Sequence, residues 1–345
     1  MFSKVKSIVW MSGPQSRVLS DLLSTDITIV GSAREFLDAQ RDTKTVSFVN
    51  TTTLSLLDRA AVELGMPVHQ MVPPGPVIVV CDEPLQTAIS WLPTHPWLAH
   101  VVSTAMLQHP LATELLGNVL ATLTSGRRPR LLDWVAPTMA GRRVRLAHAS
   151  RRAERLERMA EFLSSKGVSS RTIQHLRDVA EELLTNAFYD APVAAGALKK
   201  PISRTEDVSL PDDSACDMVY GCREDLALVR VRDPFGSLSR ARLVEVLTRC
   251  ARTDMQVEVD ETMGGAGLGL WRIFSVASFV AISVVDNRHT EFLVGIGKRA
   301  PAGQRPFAFH LFFKEQGRPV RRWKLLDADS SAPTTVSKSV TIVSK

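Results

Sequence analysis

The four cysteines, Cys81, Cys216, Cys222 and Cys250, form no CxxC pair and have no histidine at ligand spacing. Neither a zinc site nor a disulfide framework is therefore indicated. No apolar run approaches the roughly 18–20 residues that span a bilayer, and "MFSKVKSIVWMSG" has too short an apolar centre for a secretory signal. These two absences predict a cytoplasmic protein with no membrane span. Apart from Trp323, aromatic residues do not interleave with the basic clusters "GRRPR" (126–130), "GRRVR" (141–145), "SRRAER" (150–155) and "RPVRRWK" (318–324). With no recognition-helix signature and no zinc-finger spacing either, nucleic acid is not the expected partner.

What is present is an ordinary globular balance, 45% hydrophobic and 23% charged over 345 residues, which lets each of two domains bury a core. Through residue 125 the chain alternates "KVKSIVWM", "DITIVG", "TVSFVN", "PVIVVC" and "LAHVVS" with helical patterns such as "LSLLDRAAVELG" and "PLATELLGNVLATL". Strands and helices at this spacing predict βαβ units around a parallel sheet. Gly, Pro and Arg in 126–141 read as a linker. From Arg142 the chain continues with a strand, "RRVRLAHA", a helix ended by Gly167, a second helix started near Ser169 or Ser170, and then "DMVYGC", "LALVRVRD", "VAISVVDN", "EFLVGIG" and "FAFHLFF" as strands. That order predicts an α+β two-layer sandwich over 142–315. Residues 316–345, basic and then Ser/Thr-rich, read as a partly disordered tail.

Three stretches of the second half concentrate chemistry. In "EELLTNAFYDA", Glu182 and Asn186 are four apart on one helix face, and a wheel places Thr185, Tyr189 and Asp190 in the same polar stripe. In "VRVRDPFGSL", a strand runs into Asp233 and reaches Gly236. In "GGAGLGLWRIF", glycines lead into an amphipathic helix, where freed backbone amides make a phosphate cradle. The glycine run lacks the GK[ST] of a P-loop, and Leu270 stands where the last glycine of GxGxxG would fall.

The five-strand layout of the first half resembles a receiver domain of two-component signalling, a flavodoxin-like fold, without its chemistry. "IVWMSG" supplies no acids, Asn50 stands at the phosphoacceptor position, and Ser103 and Thr104 stand where a lysine belongs. An amide cannot form the acyl phosphate, so the resemblance implies a pseudo-receiver that docks or dimerises. In the second half, "ELLTNA" as an asparagine box and "GAGLGL" as a second glycine box resemble the Bergerat ATP-binding fold of the GHKL superfamily, nearest to its anti-sigma-factor serine kinases.

That second resemblance implies ATP and Mg²⁺ as cofactors. It makes Glu182 the general base, Asn186 the Mg²⁺ ligand and Asp233 the acceptor for the adenine amine. Gly236 would leave room for the base, Gly265, Gly267, Leu268 and Gly269 would wrap the phosphates, and Thr290 of "NRHTEF" would sit beside the adenine. The intervening segment would be a lid, with Arg240, Arg242, Arg249 and Arg252 either reaching phosphate or simply solvated. The first glycine box departs from the family's DxGxG: "DPFGS" puts Phe235 where a glycine is usual, which removes the freedom for positive φ there. The implied function is a signalling regulator that binds Mg-ATP and acts on a partner protein as a Ser/Thr kinase or slow ATPase. A non-enzymatic nucleotide-gated scaffold is the alternative, and a homodimer is compatible with both. A sensor kinase using a histidine on another chain is a third reading; His148 and His175 lie in no phosphoacceptor context.

Overall fold

The structure, a computed structural model, describes residues 6–11, 14–22, 26–39, 44–63, 65, 67, 73, 75–135, 140–198, 203, 204, 206–223, 225–252, 268–298 and 305–313. It is a mixed α/β fold built on a single mixed sheet of 11 strands.

In the first half the strands are β1 (Lys6–Trp10), β2 (Asp26–Ile29), β3 (Val46–Asn50), β4 (Val77–Cys81) and β5 (His100–Ser103). The connecting helices are α1 (Pro14–Leu22), α2 (Ala33–Ala39), α3 (Thr51–Glu63) and α4 (Leu85–Ser90), followed by α5 (Thr104–Leu107) and α6 (Ala112–Ser125). Every residue of β3, β4 and β5 is buried, the signature of strands covered by helices on both faces. All neighbours here are parallel, in the order β2-β1-β3-β4-β5.

The second half contributes β6 (Ala140–Leu146), α7 (Arg152–Ser165), α8 (Ser170–Thr185), α9 (Ala191–Ala194), β7 (Cys216–Arg223), β8 (Leu226–Asp233), α10 (Arg240–Arg252), α11 (Leu268–Val276), β9 (Phe279–Val285), β10 (His289–Gly297) and β11 (Ala308–Phe313). Gly167 turns the chain out of α7 at φ +73°, and Ser169 caps α8 by accepting from the Thr172 amide at 3.2 Å. The strands β6, β7, β8, β10 and β9 lie side by side in that order, each antiparallel to its neighbour.

The two halves share the sheet because β11 fits between them. It runs parallel to β9 and antiparallel to β5, with Ala308 opposite Val102 and His310 opposite His100. Ser103 Oγ fastens the join, accepting from the amides of Met106 and Phe307 at 3.1 and 2.9 Å.

Side-chain alternation divides the core into two clusters, one per face. Val229 and Val231 of β8, Phe292 and Val294 of β10 and Val79 of β4 pack with α3, α4, α7, α8, α10 and α11. Leu228, Leu293, Phe279 and Val80 face the other way, toward α6 and the residues Leu131, Trp134 and Val135. The stretch read as a linker is thus packed through residue 135: Trp134 meets Phe312 edge-on at 5.8 Å, and Arg128 donates to the Val284 carbonyl at 3.1 Å. This gives the back of the second half a covering that a two-layer sandwich does not have. Nearer the β6 edge the same face carries a buried ion-pair network, in which Arg230 bonds Asp217 at 2.5 Å and also Glu291, and Arg143 reaches Asp217 from outside at 2.7 Å. Among the described residues no helix is long and apolar enough to cross a membrane.

Candidate functional site

Helix α8 lies across β8 and β10 and packs against α7 and α11. Its apolar side, Leu176, Val179, Ala180, Leu183 and Leu184, is buried, which turns Glu182 toward the start of α11. The approach there is close: a methyl group built on Gly269 would lie 2.6 Å from Glu182 Cδ and 3.1 Å from Cγ. A carboxylate against the first turn of a helix also meets the positive end of the helix dipole. Burial pushes the Glu182 carboxyl above its ordinary range, and Arg204 and Arg272 pull it back only in part. A carboxylate so poised is a stronger proton acceptor than a solvated one.

The segment Asn186–Asp190 continues α8 as one π-helical turn. Such a turn inserts an extra residue and so rotates the helical positions beyond it. The polar stripe expected from the helical wheel is broken accordingly. Tyr189 points inward, buried, its hydroxyl donating to the Glu206 carbonyl at 2.6 Å, and Thr185 is buried with its hydroxyl accepting from Arg152 at 2.7 Å. Asn186 and Glu182 stay partly exposed and Asp190 exposed. Asp190 sits 3.7 Å from Arg204, with its carboxyl raised by desolvation.

At the sheet, Asp233 ends β8 on the face that α8 covers, two residues beyond Val231. Its Oδ1 accepts from the amides of Phe235 at 2.8 Å and Gly236 at 3.2 Å. Burial raises the Asp233 carboxyl, and these bonds together with neighbouring Thr290 lower it in part. Thr290 pairs with Asp233 across the ladder, and its buried hydroxyl lies beside that carboxylate and helps to stabilise it.

Gly236 has a more local reason than room for a base. It stands at φ +65°, and a methyl group there would come within 2.9 Å of the amide nitrogens of Arg288 and His289, and closer still to the Val285 carbonyl. The turn between β9 and β10 occupies that side.

The structure thus joins Glu182 to Gly269 at the start of α11, and Asp233 to Gly236 and Thr290 at the end of β8. Leu268 and Gly269 open α11, whereas Gly265 and Gly267 lie outside the described residues. Of the lid arginines, Arg240 donates to the Leu98 carbonyl at 2.9 Å, and Arg242 pairs with Glu245 at 3.0 Å within α10. Arg204 and Arg272, the cations that act on Glu182, carry no motif in the sequence; Arg272 lies three residues beyond Gly269 on α11 and is within reach of helical spacing, while Arg204 has no such signal. Among the described residues no group of three or more His, Cys, Asp and Glu gathers to hold a metal. A Mg²⁺ bridging phosphates needs only one or two protein oxygens, which Asn186 can supply.

In the first half, the carboxyl ends of the parallel strands carry a closed polar cluster. Gln15 donates to Asp82 at 2.5 Å and to Thr104 at 3.2 Å, and Asn50 donates to Gln15 at 3.3 Å.

No protein-family model matches the chain, and no curated protein matches it.

Proposed function

We propose that the chain is a signalling regulator that binds Mg-ATP in a GHKL-type pocket between α8, α11 and the β8–β10 ladder and acts on a partner protein. The antiparallel order β6-β7-β8-β10-β9 with its helices on one face supports a Bergerat-type layout, and the parallel order β2-β1-β3-β4-β5 supports a flavodoxin-like, receiver-like first half. The observation that carries the nucleotide reading is the close approach of the half-buried Glu182 carboxylate to Gly269 at the start of α11. In this reading Glu182 against Gly269 fits the phosphate end, and the buried Asp233 beside Thr290 fits the amino edge of a purine.

When bound, Mg-ATP would supply a phosphoryl group activated by charge neutralisation. In this reading Asp233 selects an amino-bearing ring because an ionised carboxylate only accepts. The Asn186 amide oxygen would be the group that holds the metal, Glu182 the carboxylate placed to accept a proton from a hydroxyl or water, and Leu268 and Gly269 the residues whose backbone amides would face phosphate. A second reading, nucleotide-gated binding without turnover, is favoured by Phe235 in the first glycine box and by the self-satisfied Gln15–Asn50–Asp82 cluster where a receiver would need open acids.

The test is calorimetric titration of ATP with and without Mg²⁺ into wild type, Asn186→Ala and Asp233→Ala, followed by phosphate transfer and release with Glu182→Gln. Binding that needs Asp233 and gains from Mg²⁺ only when Asn186 is intact supports the pocket. ATP affinity unchanged in Asp233→Ala refutes it. Binding without Glu182-dependent turnover selects the scaffold.

A further inference from the structure

We propose that the outer edge of β6 is a docking strand for an acidic, extended segment of a partner protein. This inference rests on the edge itself and stands whether or not nucleotide binds.

Strand β6 ends the sheet order, so one row of its backbone groups has no neighbouring strand among the described residues. Ala140, Gly141, Arg142, Arg143 and Arg145 are exposed along it. An open edge is a template for β-addition, and the arginines decide what can be added. Arg142 sits over the Phe162 ring at 5.6 Å, with Lys166 over the same ring at 5.8 Å. Arg142 stands opposite Tyr220 across the ladder, and the Tyr220 ring meets Phe162 of α7 edge-on at 5.7 Å, so Arg142 lies on the α7 side of the edge; Arg155 and Arg158 of α7 oppose the rise that burial gives the Tyr220 hydroxyl. Arg143 and Arg145 project to the opposite side, held by Asp217 and by the Asp212 carbonyl.

Carboxylates reach Arg143 (Asp217) and Arg158 (Glu154), leaving Arg142, Arg145 and Arg155 without an ion pair among the described residues. An added strand alternates its side chains between these two basic sides. A second β6 would set arginine against arginine across the new ladder, which is destabilising, so pairing of two copies here is disfavoured. A strand with acids on both sides finds a cation at each step.

The probe is a fluorescein-labelled peptide alternating glutamate and valine, about as long as β6. It is titrated by anisotropy into the full chain without nucleotide, at low and at physiological ionic strength. Controls are the same peptide N-methylated on either alternate set of backbone nitrogens, a lysine–valine peptide, and a single-stranded oligonucleotide of equal charge. The expected result is saturable binding of the acidic peptide, weakened roughly tenfold or more by N-methylation of one set and by Arg142→Glu with Arg145→Glu, with an unchanged melting temperature in that variant. Equal binding of both N-methylated forms and the parent would show surface charge without strand pairing and overturn the proposal. So would absence of binding, indifference to the arginine reversals, or tighter binding of the oligonucleotide.

Discussion

Replacing Gly269 with alanine separates folding from chemistry at this site. The added methyl group would stand 2.6 Å from Glu182 Cδ, against an ordinary contact range that begins at 3.4 Å, so the carboxyl carbon must retreat by about 0.8 Å and its outer oxygen by more. The obstructing atoms belong to the free end of a flexible side chain, so the fold can yield. Displacing them costs about 1–3 kcal/mol by analogy with overpacking, while alanine in place of glycine in a helix returns up to about 1 kcal/mol. The net stability change is therefore expected within about 2 kcal/mol, a shift of a few degrees in melting temperature. A catalytic group misplaced by about 1 Å loses roughly a hundredfold in rate. With the proposed turnover, phosphate release or transfer by Gly269→Ala should fall by that factor, approaching Glu182→Gln, while the melt stays near wild type. Turnover within twofold of wild type in a folded Gly269→Ala protein would refute the positioning argument, and absence of turnover in wild type would refute the role of Glu182 as a base.

Gly236→Ala should behave oppositely, because its obstructing atoms are the backbone of Val285, Arg288 and His289 at φ +65°; a loss of roughly 3 kcal/mol or more in urea melts is expected, and a loss under about 1 kcal/mol would show that the β9–β10 turn yields freely. Arg230→Ala strands Glu291 in the interior and leaves Asp217 with Arg143 alone; it should cost about 3–5 kcal/mol by chemical denaturation, whereas replacing Arg230 and Glu291 together with apolar residues of similar size should recover part of it. Acid should weaken the join between the halves: burial holds His100 down to about 3 and drives His310 well below its ordinary value. Each is neutral when folded, so stability is full above the unfolded value near 6.5. It falls as pH drops toward the folded value, by about 1.4 kcal/mol per pH unit for each histidine. His310→Phe should flatten that slope in melts measured between those limits, and an unchanged slope would count against the assignment.

How far the fold is legible in the sequence depends on how local its causes are. Strand β4 announces itself as an unbroken apolar run and β3 as a β-rich run interrupted by Ser47, and α7 and α8 show by periodicity, with Gly167 ending the first and Ser169 starting the second. The segment 126–135 reads as a linker because Gly, Pro and Arg dominate it; what fixes it is Trp134 against Phe279 and Phe312, residues far along the chain. The inward turn of Tyr189 comes from a π-helical step that a uniform helical wheel does not contain. At the site, Glu182, Asn186 and Asp233 are visible as residue types at a spacing, but the closeness of Gly269 to Glu182 and of Thr290 to Asp233 arises only in the packed fold. Gly236 is legible as a turn glycine, yet the turn it accommodates is contributed by β9 and β10.

The strand β11 gives the molecule an unusual mechanical character. Since it is bonded on one side to β5 and on the other to β9, the halves are not joined like beads on a string: parting them would tear the backbone bonds that β11 makes with β5, and would also strip α10 from α4 and Arg240 from the Leu98 carbonyl.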